Sequence, residues 1–117
     1  METRRDENGK KKWEVNINEG KEDGLHSYWY ENGQKLQEAN RKDGKTDGLV
    51  IILYENGQTM NEGKYKDDKL MSAVAWKPNG EKCPFTNLKE GNGVAVMYEE
   101  DGTEFRQTYN DGWPVSN

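Results

Sequence analysis

Residues 25–30 read Leu-His-Ser-Tyr-Trp-Tyr, and residues 49–54 read Leu-Val-Ile-Ile-Leu-Tyr. Comparable segments recur at 72–77 (SAVAWK) and 94–98 (VAVMY). Each is the length of a strand and too short for a helix. Alternation by two puts Leu25, Ser27 and Trp29 on one face, followed by Leu49, Ile51 and Leu53. Val74 and Trp76, then Val94, Val96 and Tyr98, continue that face. In the strand before these, Trp13, Val15 and Ile17 alternate with Lys12, Glu14 and Asn16, and with a one-residue deletion allowed in the last unit Phe105 and Tyr109 fall in register with Trp13 and Ile17. The pattern predicts a sheet with one apolar face and one mixed face.

Glycine turns divide these segments. Asn8-Gly9, Asn32-Gly33, Asn56-Gly57, Asn79-Gly80 and Asp101-Gly102 fall 24, 24, 23 and 22 residues apart. Asn-Gly suits a type I′ hairpin turn, in which both central residues need positive φ. Gly9, Gly33, Gly57, Gly80 and Gly102 are therefore the expected structural turn positions. A second series runs between them at Asp23-Gly24, Asp47-Gly48, Asn92-Gly93 and Asp111-Gly112, with Asp67-Asp68 interrupting it. A period in the twenties marks a repeat architecture. The predicted fold is all-β: a single antiparallel β-meander of about five stacked β-hairpin repeats, elongated and twisted. Residues 1–7 are read as a flexible N-terminus and 8–117 as the repeat domain, with units near 8–29, 30–53, 54–76, 77–97 and 98–117. Pro84, within KPNGEKCPF, stands where a strand should run, so that strand is expected to be an edge, bulged or broken. Trp113, Pro114 and Val115 are expected to cap the last unit.

Composition tests this picture. Leu, Ile, Val and Phe number 17, about 15% of 117 residues, a level common in disordered chains. Twelve aromatics and evenly spaced turns argue for a thin repeat fold instead, in which each unit packs only on its neighbours. The net charge of −5 disfavours nucleic acid, or an anionic membrane, as a partner held by bulk charge. The longest apolar run, Leu49 to Tyr54, is far short of a membrane span, and METRRDENGKKK lacks the apolar segment of a signal peptide. The expectation is a soluble cytoplasmic chain, the alternative being the mature part of an exported or envelope protein. One cysteine, Cys83, excludes an internal disulfide and a multi-cysteine zinc site.

The stretch from Tyr30 to Gln58, Y-E-N-G-Q…K-D-G-K-T-D-G-L…L-Y-E-N-G-Q, resembles the bacterial variant of the MORN repeat. The resemblance covers most of the chain and is closest in the first three units. It implies stacked hairpins of about 23 residues and a non-catalytic interaction module. It also implies the label borne by many bacterial chains of this type, the antitoxin of a toxin–antitoxin system.

Candidate chemistry is sparse. The one histidine, His26, and Cys83 fall in different units, whereas a nucleophile pair needs hydrogen-bond contact. Ser27 and Ser72 lack the glycines of a nucleophile elbow. The glycines of residues 90–93 read as a turn rather than a phosphate cradle. Lysines within residues 42–48 oppose a calcium loop. No enzyme activity, cofactor or metal is expected.

Two surface features are candidates for binding. Glu14, Glu38 and Glu62 recur five residues after successive turn glycines and should form a ladder, paired in part with Lys12, Lys35 and Lys64. Tyr28, Tyr30 and Tyr54, with Val50 and Ile52, should form an apolar strip on the face opposite Leu25 and Trp29. The expected function is protein binding through one sheet face, a toxin docking on the tyrosine strip and the glutamate ladder together. A self-associating scaffold module is the alternative, and a lipid-surface binder a more distant one.

Overall fold

The computed structural model describes residues 2–5, 11–84 and 86–115. The expected turn at Asn8-Gly9, with the structural glycine Gly9, and Phe85 lie outside the described residues. Ten strands follow one another: β1 (Glu2–Arg5), β2 (Lys11–Asn18), β3 (Lys21–Trp29), β4 (Lys35–Lys42), β5 (Lys45–Leu53), β6 (Thr59–Lys66), β7 (Lys69–Ala75), β8 (Gly93–Tyr98), β9 (Glu104–Asn110) and β10 (Trp113–Val115). The fold is all-β, and every named strand pairing is antiparallel between chain neighbours. Among the described residues no helix is long and apolar enough to cross a membrane.

The meander is not single. β1 to β7 form one sheet in chain order, and β8 to β10 form a second. The break falls at the fourth unit, as Pro84 suggests. Trp76 makes only an isolated bridge to Lys82, and the Cys83 amide donates to the Ala75 carbonyl at 2.8 Å. Pro84 then has no N–H with which to extend the ladder. At the other end, residues 2–5 are not a loose terminus: they pair with β2 through Glu2↔Val15, Thr3↔Glu14 and Arg4↔Trp13. The molecule spans 39 × 33 × 20 Å, broad and thin.

The turn chemistry differs from the expectation. The four described Asn-Gly or Asp-Gly loops are not type I′ turns. In each, the glycine alone has positive φ, 87° to 91°, and its amide donates three residues back, as Gly33 does to Tyr30 O and Gly57 to Tyr54 O. This is a type I turn closed by a left-handed glycine, the three-residue hairpin loop. The type I′ turns lie elsewhere, at Glu19-Gly20, Asp43-Gly44, Asp67-Asp68, Glu90-Gly91 and Asp111-Gly112, where both residues have positive φ. Asp111-Gly112 was expected to turn and does. Asp23-Gly24 and Asp47-Gly48 are bulges: residues 23–25 of β3 stand opposite Asn16 alone, and 47–49 of β5 opposite Asn40 alone. In the fourth unit the turn falls two residues before Asn92-Gly93.

The repeated Tyr-Glu-Asn-Gly-Gln now has a role for most of its letters. The Asn32 carboxamide oxygen accepts from the Gln34 amide at 2.9 Å, and its nitrogen donates to Glu55 O of the next unit at 3.3 Å. The Tyr30 hydroxyl donates to Leu53 O at 2.7 Å, and the Tyr54 hydroxyl to Trp76 O at 2.6 Å. Each copy shapes its own turn and ties it to the following repeat.

The second sheet is laid against the far end of the first. Tyr54, Ala75, Cys83, Val96 and Tyr98 form the buried cluster, with Met60 and Val94 packed on it. A narrow cleft of about 70 Å³ separates Ala95 and Tyr109 from Val50, Leu70 and Ala73. Trp113, expected to close the last repeat, remains 48% exposed on β10.

Candidate binding surfaces

Residues paired directly across an antiparallel sheet share a face. One row runs Trp13, Tyr28, Gln37, Ile52, Asn61, Ala75, and the row beside it Val15, His26, Ala39, Val50, Gly63, Ala73. Trp13 and Val15 therefore share a face with Tyr28 and Val50, not with Leu25. That face holds much of the core: Val15, His26, Ala39 and Val50 are all buried. The face expected to be apolar and covered instead leaves Leu25 and Leu49 exposed.

This register splits the expected composite site. Glu14, Ser27, Glu38, Ile51, Glu62 and Val74 form a continuous row, so the three glutamates are a ladder, two strand spacings apart. They stand one residue away from the row holding Tyr28, and hence on the opposite face. A single flat partner cannot cover both. Glu38 is ion-paired with Lys35, whose ammonium also lies 5.6 Å over the Trp29 ring.

The three tyrosines also separate. Tyr54 has no exposed surface and cannot touch a partner. Burial first, then the Glu100 carboxylate, pushes its hydroxyl up to about 12, so it stays a neutral donor to Trp76. Tyr30 is half-buried, its acidity lowered by burial first and then by Glu100 and Glu55. Tyr28 is half-buried and stacks on His26 with ring centroids 4.6 Å apart.

Beyond the edge of the second sheet, β2 to β4 keep an open cleft of about 630 Å³. Trp13, Tyr28, Trp29 and Tyr30 line it, with Gln37 and Arg41. Trp13, Trp29, Gln37 and Arg41 were not among the expected site residues. The cross-strand pair Trp13↔Tyr28 brings them in, and that pair depends on the turn at Glu19-Gly20.

Below this cleft His26 is 6% exposed. Its Nδ1 lies 3.7 Å from the Glu22 carboxylate, which Arg41 Nε approaches to 3.4 Å. Desolvation outweighs the pull of Glu22, with Arg41 adding to it, and holds the imidazole below its ordinary value of 6.5. The folded chain therefore refuses a proton that the unfolded chain accepts. Stability should be level above about pH 6.5 and fall as pH drops from there through the lowered folded value. His26→Phe should flatten this part of the profile, read as the shift in thermal midpoint between pH 7.5 and 5.5. A variant profile parallel to that of wild type would exclude His26 as the source.

Cys83 lies in the buried cluster rather than beside His26. It accepts hydrogen bonds from the Tyr98 hydroxyl at 3.1 Å and the Thr86 hydroxyl at 3.6 Å. Among the described residues no three His, Cys, Asp or Glu side chains converge as a metal site would require. A scan against models of known protein families finds no match to this chain, and a search of curated proteins finds no similar sequence.

Proposed function

We propose that this chain is a non-catalytic protein-binding module of the MORN-type repeat class, and that it binds through the aromatic cleft of β2 to β4. One observation carries the reading: four of the twelve aromatics, two Trp and two Tyr, converge with Arg41 on one open cleft. Tyr, Trp and Arg are the side chains that dominate binding hot spots, because they bury large areas at small entropic cost. Bulges at Asn16 and Asn40 and the two kinds of hairpin turn hold these groups on a rigid sheet. In its narrowest form the partner is a toxic enzyme that the acidic module occludes.

A second reading has its own support. Leu25 is 44% and Leu49 37% exposed on the opposite face, which fits a self-associating scaffold. One experiment separates the two. Wild type and a Trp13→Ser/Tyr28→Ser variant are used to recover partners from a lysate of the source cell. The recovered protein is then purified and titrated. A loss of at least about 2 kcal/mol in the variant supports the cleft. Equal affinity for both removes it, and recovery of the chain's own copies alone favours the scaffold.

A further inference from the structure

A second groove lies where the two sheets meet, about 650 Å³ in volume. Its floor is apolar: Met60 from the first sheet, Met97 and Phe105 from the second. Phe105 is 54% and Met97 39% exposed, so the floor is open to a partner. Its rim is acidic, formed by Glu55, Glu99 and Asp101, and among the described residues no lysine or arginine lines it. Glu100 reaches across the groove and accepts from the Glu55 amide at 2.9 Å, which fixes the two sides relative to each other.

The combination is selective. Residues 98–104, Tyr-Glu-Glu-Asp-Gly-Thr-Glu, concentrate four carboxylates beside exposed apolar surface. The nearby cation Arg106 is paired with Glu104 at 3.0 Å. Carboxylates around a low-dielectric floor repel one another more strongly than in open water, and a cation relieves that repulsion. A bare metal ion would need clustered oxygens, whereas these are spread round an apolar floor. Methionine is unbranched and adapts to differently shaped apolar side chains.

We propose that this groove is a second docking surface, for a basic segment of a partner protein that carries an apolar anchor between its cations. The anchor sits on Met97 and Phe105, and flanking Arg or Lys side chains meet the Glu55, Glu99 and Asp101 rim. The groove shares Tyr30 with the aromatic cleft but is otherwise lined by different residues, and its test uses residues that the cleft lacks.

The test uses the full chain and two fluorescein-labelled synthetic peptides read by anisotropy. One carries arginines on both sides of a Leu-Phe pair; the other has Ser-Ser in place of that pair. The Leu-Phe peptide is expected to bind at least about tenfold more tightly. Phe105→Ser should remove that advantage, and Glu55→Gln/Glu99→Gln should weaken binding by a similar factor. Trp13→Ser/Tyr28→Ser should leave it unchanged. Circular dichroism checks each fold; if Phe105→Ser unfolds, the glutamate pair and the peptide pair decide. Equal binding of the two peptides would reduce the groove to bulk acidity and overturn the proposal. So would binding by neither, unchanged affinity in Phe105→Ser, or displacement by spermine as effective as by unlabelled peptide.

Discussion

Tyr54→Ala should cost the fold about 3–5 kcal/mol, the range for deleting a buried aromatic side chain. A small domain has only about 5–15 kcal/mol to lose, so the variant should be marginal at room temperature. Tyr54 has no exposed surface and packs with Ala75, Cys83, Val96 and Tyr98. It thus joins the end of β5, the end of β7, the irregular segment and β8. Its hydroxyl adds the bond to Trp76 O at 2.6 Å. Tyr54→Phe keeps the ring and loses only that donor, so it should cost about 0.5–1.5 kcal/mol. Tyr30→Ala, in the same five-letter motif but half-buried, should cost clearly less than Tyr54→Ala. Urea midpoints at constant slope measure all three. A Tyr54→Ala midpoint close to that of Tyr30→Ala would contradict the placement of the core.

That contrast also marks where the sequence stops being legible. Strand positions and the repeat period could be read directly, because both are local: alternating segments separated by turn residues. Which face is covered could not. Opposite the steps from Tyr28 to Trp29 and from Ile52 to Leu53, one extra residue, Leu36 in β4 and Met60 in β6, shifts the count by one between one strand and the next. A one-residue error in register moves every side chain to the other face. Asn-Gly was read as a type I′ turn, but Asn32 and Asn56 instead accept from the amide two residues on and let glycine alone take positive φ. The type I′ positions are the less conspicuous Glu19-Gly20 and Asp43-Gly44 pairs. Tyr30 and Tyr54 are followed by the same four residues yet differ in burial, because Tyr54 packs against Val96 and Tyr98 of β8 in the buried cluster and Tyr30 does not. Only the folding-back of the chain after Pro84 decides that. The aromatic cleft was half visible, through Tyr28 and Tyr30. Trp13 joins it only once the turn at Glu19-Gly20 sets its partner.

The folding-back itself rests on a glycine. Gly112→Ala should destabilise the chain by about 2–4 kcal/mol, whereas Gly33→Ala should cost about 1–2, from left-handed strain alone. The two glycines have nearly the same backbone, φ 85° and 87°. A Cβ on Gly33 would meet nothing within 4 Å, but one on Gly112 would lie 2.5 Å from Lys69 Cβ and 3.2 Å from Lys69 Cα. The latter contact is backbone and cannot swing aside. Relief requires the turn to move away from β7, and that stretches two bonds: Leu70 N to Gly112 O at 3.0 Å and Gly112 N to Gly91 O at 2.9 Å. These bonds tie the turns at Glu90-Gly91 and Asp111-Gly112 to each other and to the start of β7, and so hold the second sheet on the first. The excess cost of Gly112→Ala over Gly33→Ala therefore measures the strength of that junction, not the intrinsic preference of glycine. Hydrogen exchange should locate the loss: amides of β8 and β9 should lose protection before those of β3 and β4. Equal destabilisation by the two substitutions would mean that the turn at Gly112 does not hold the second sheet on the first.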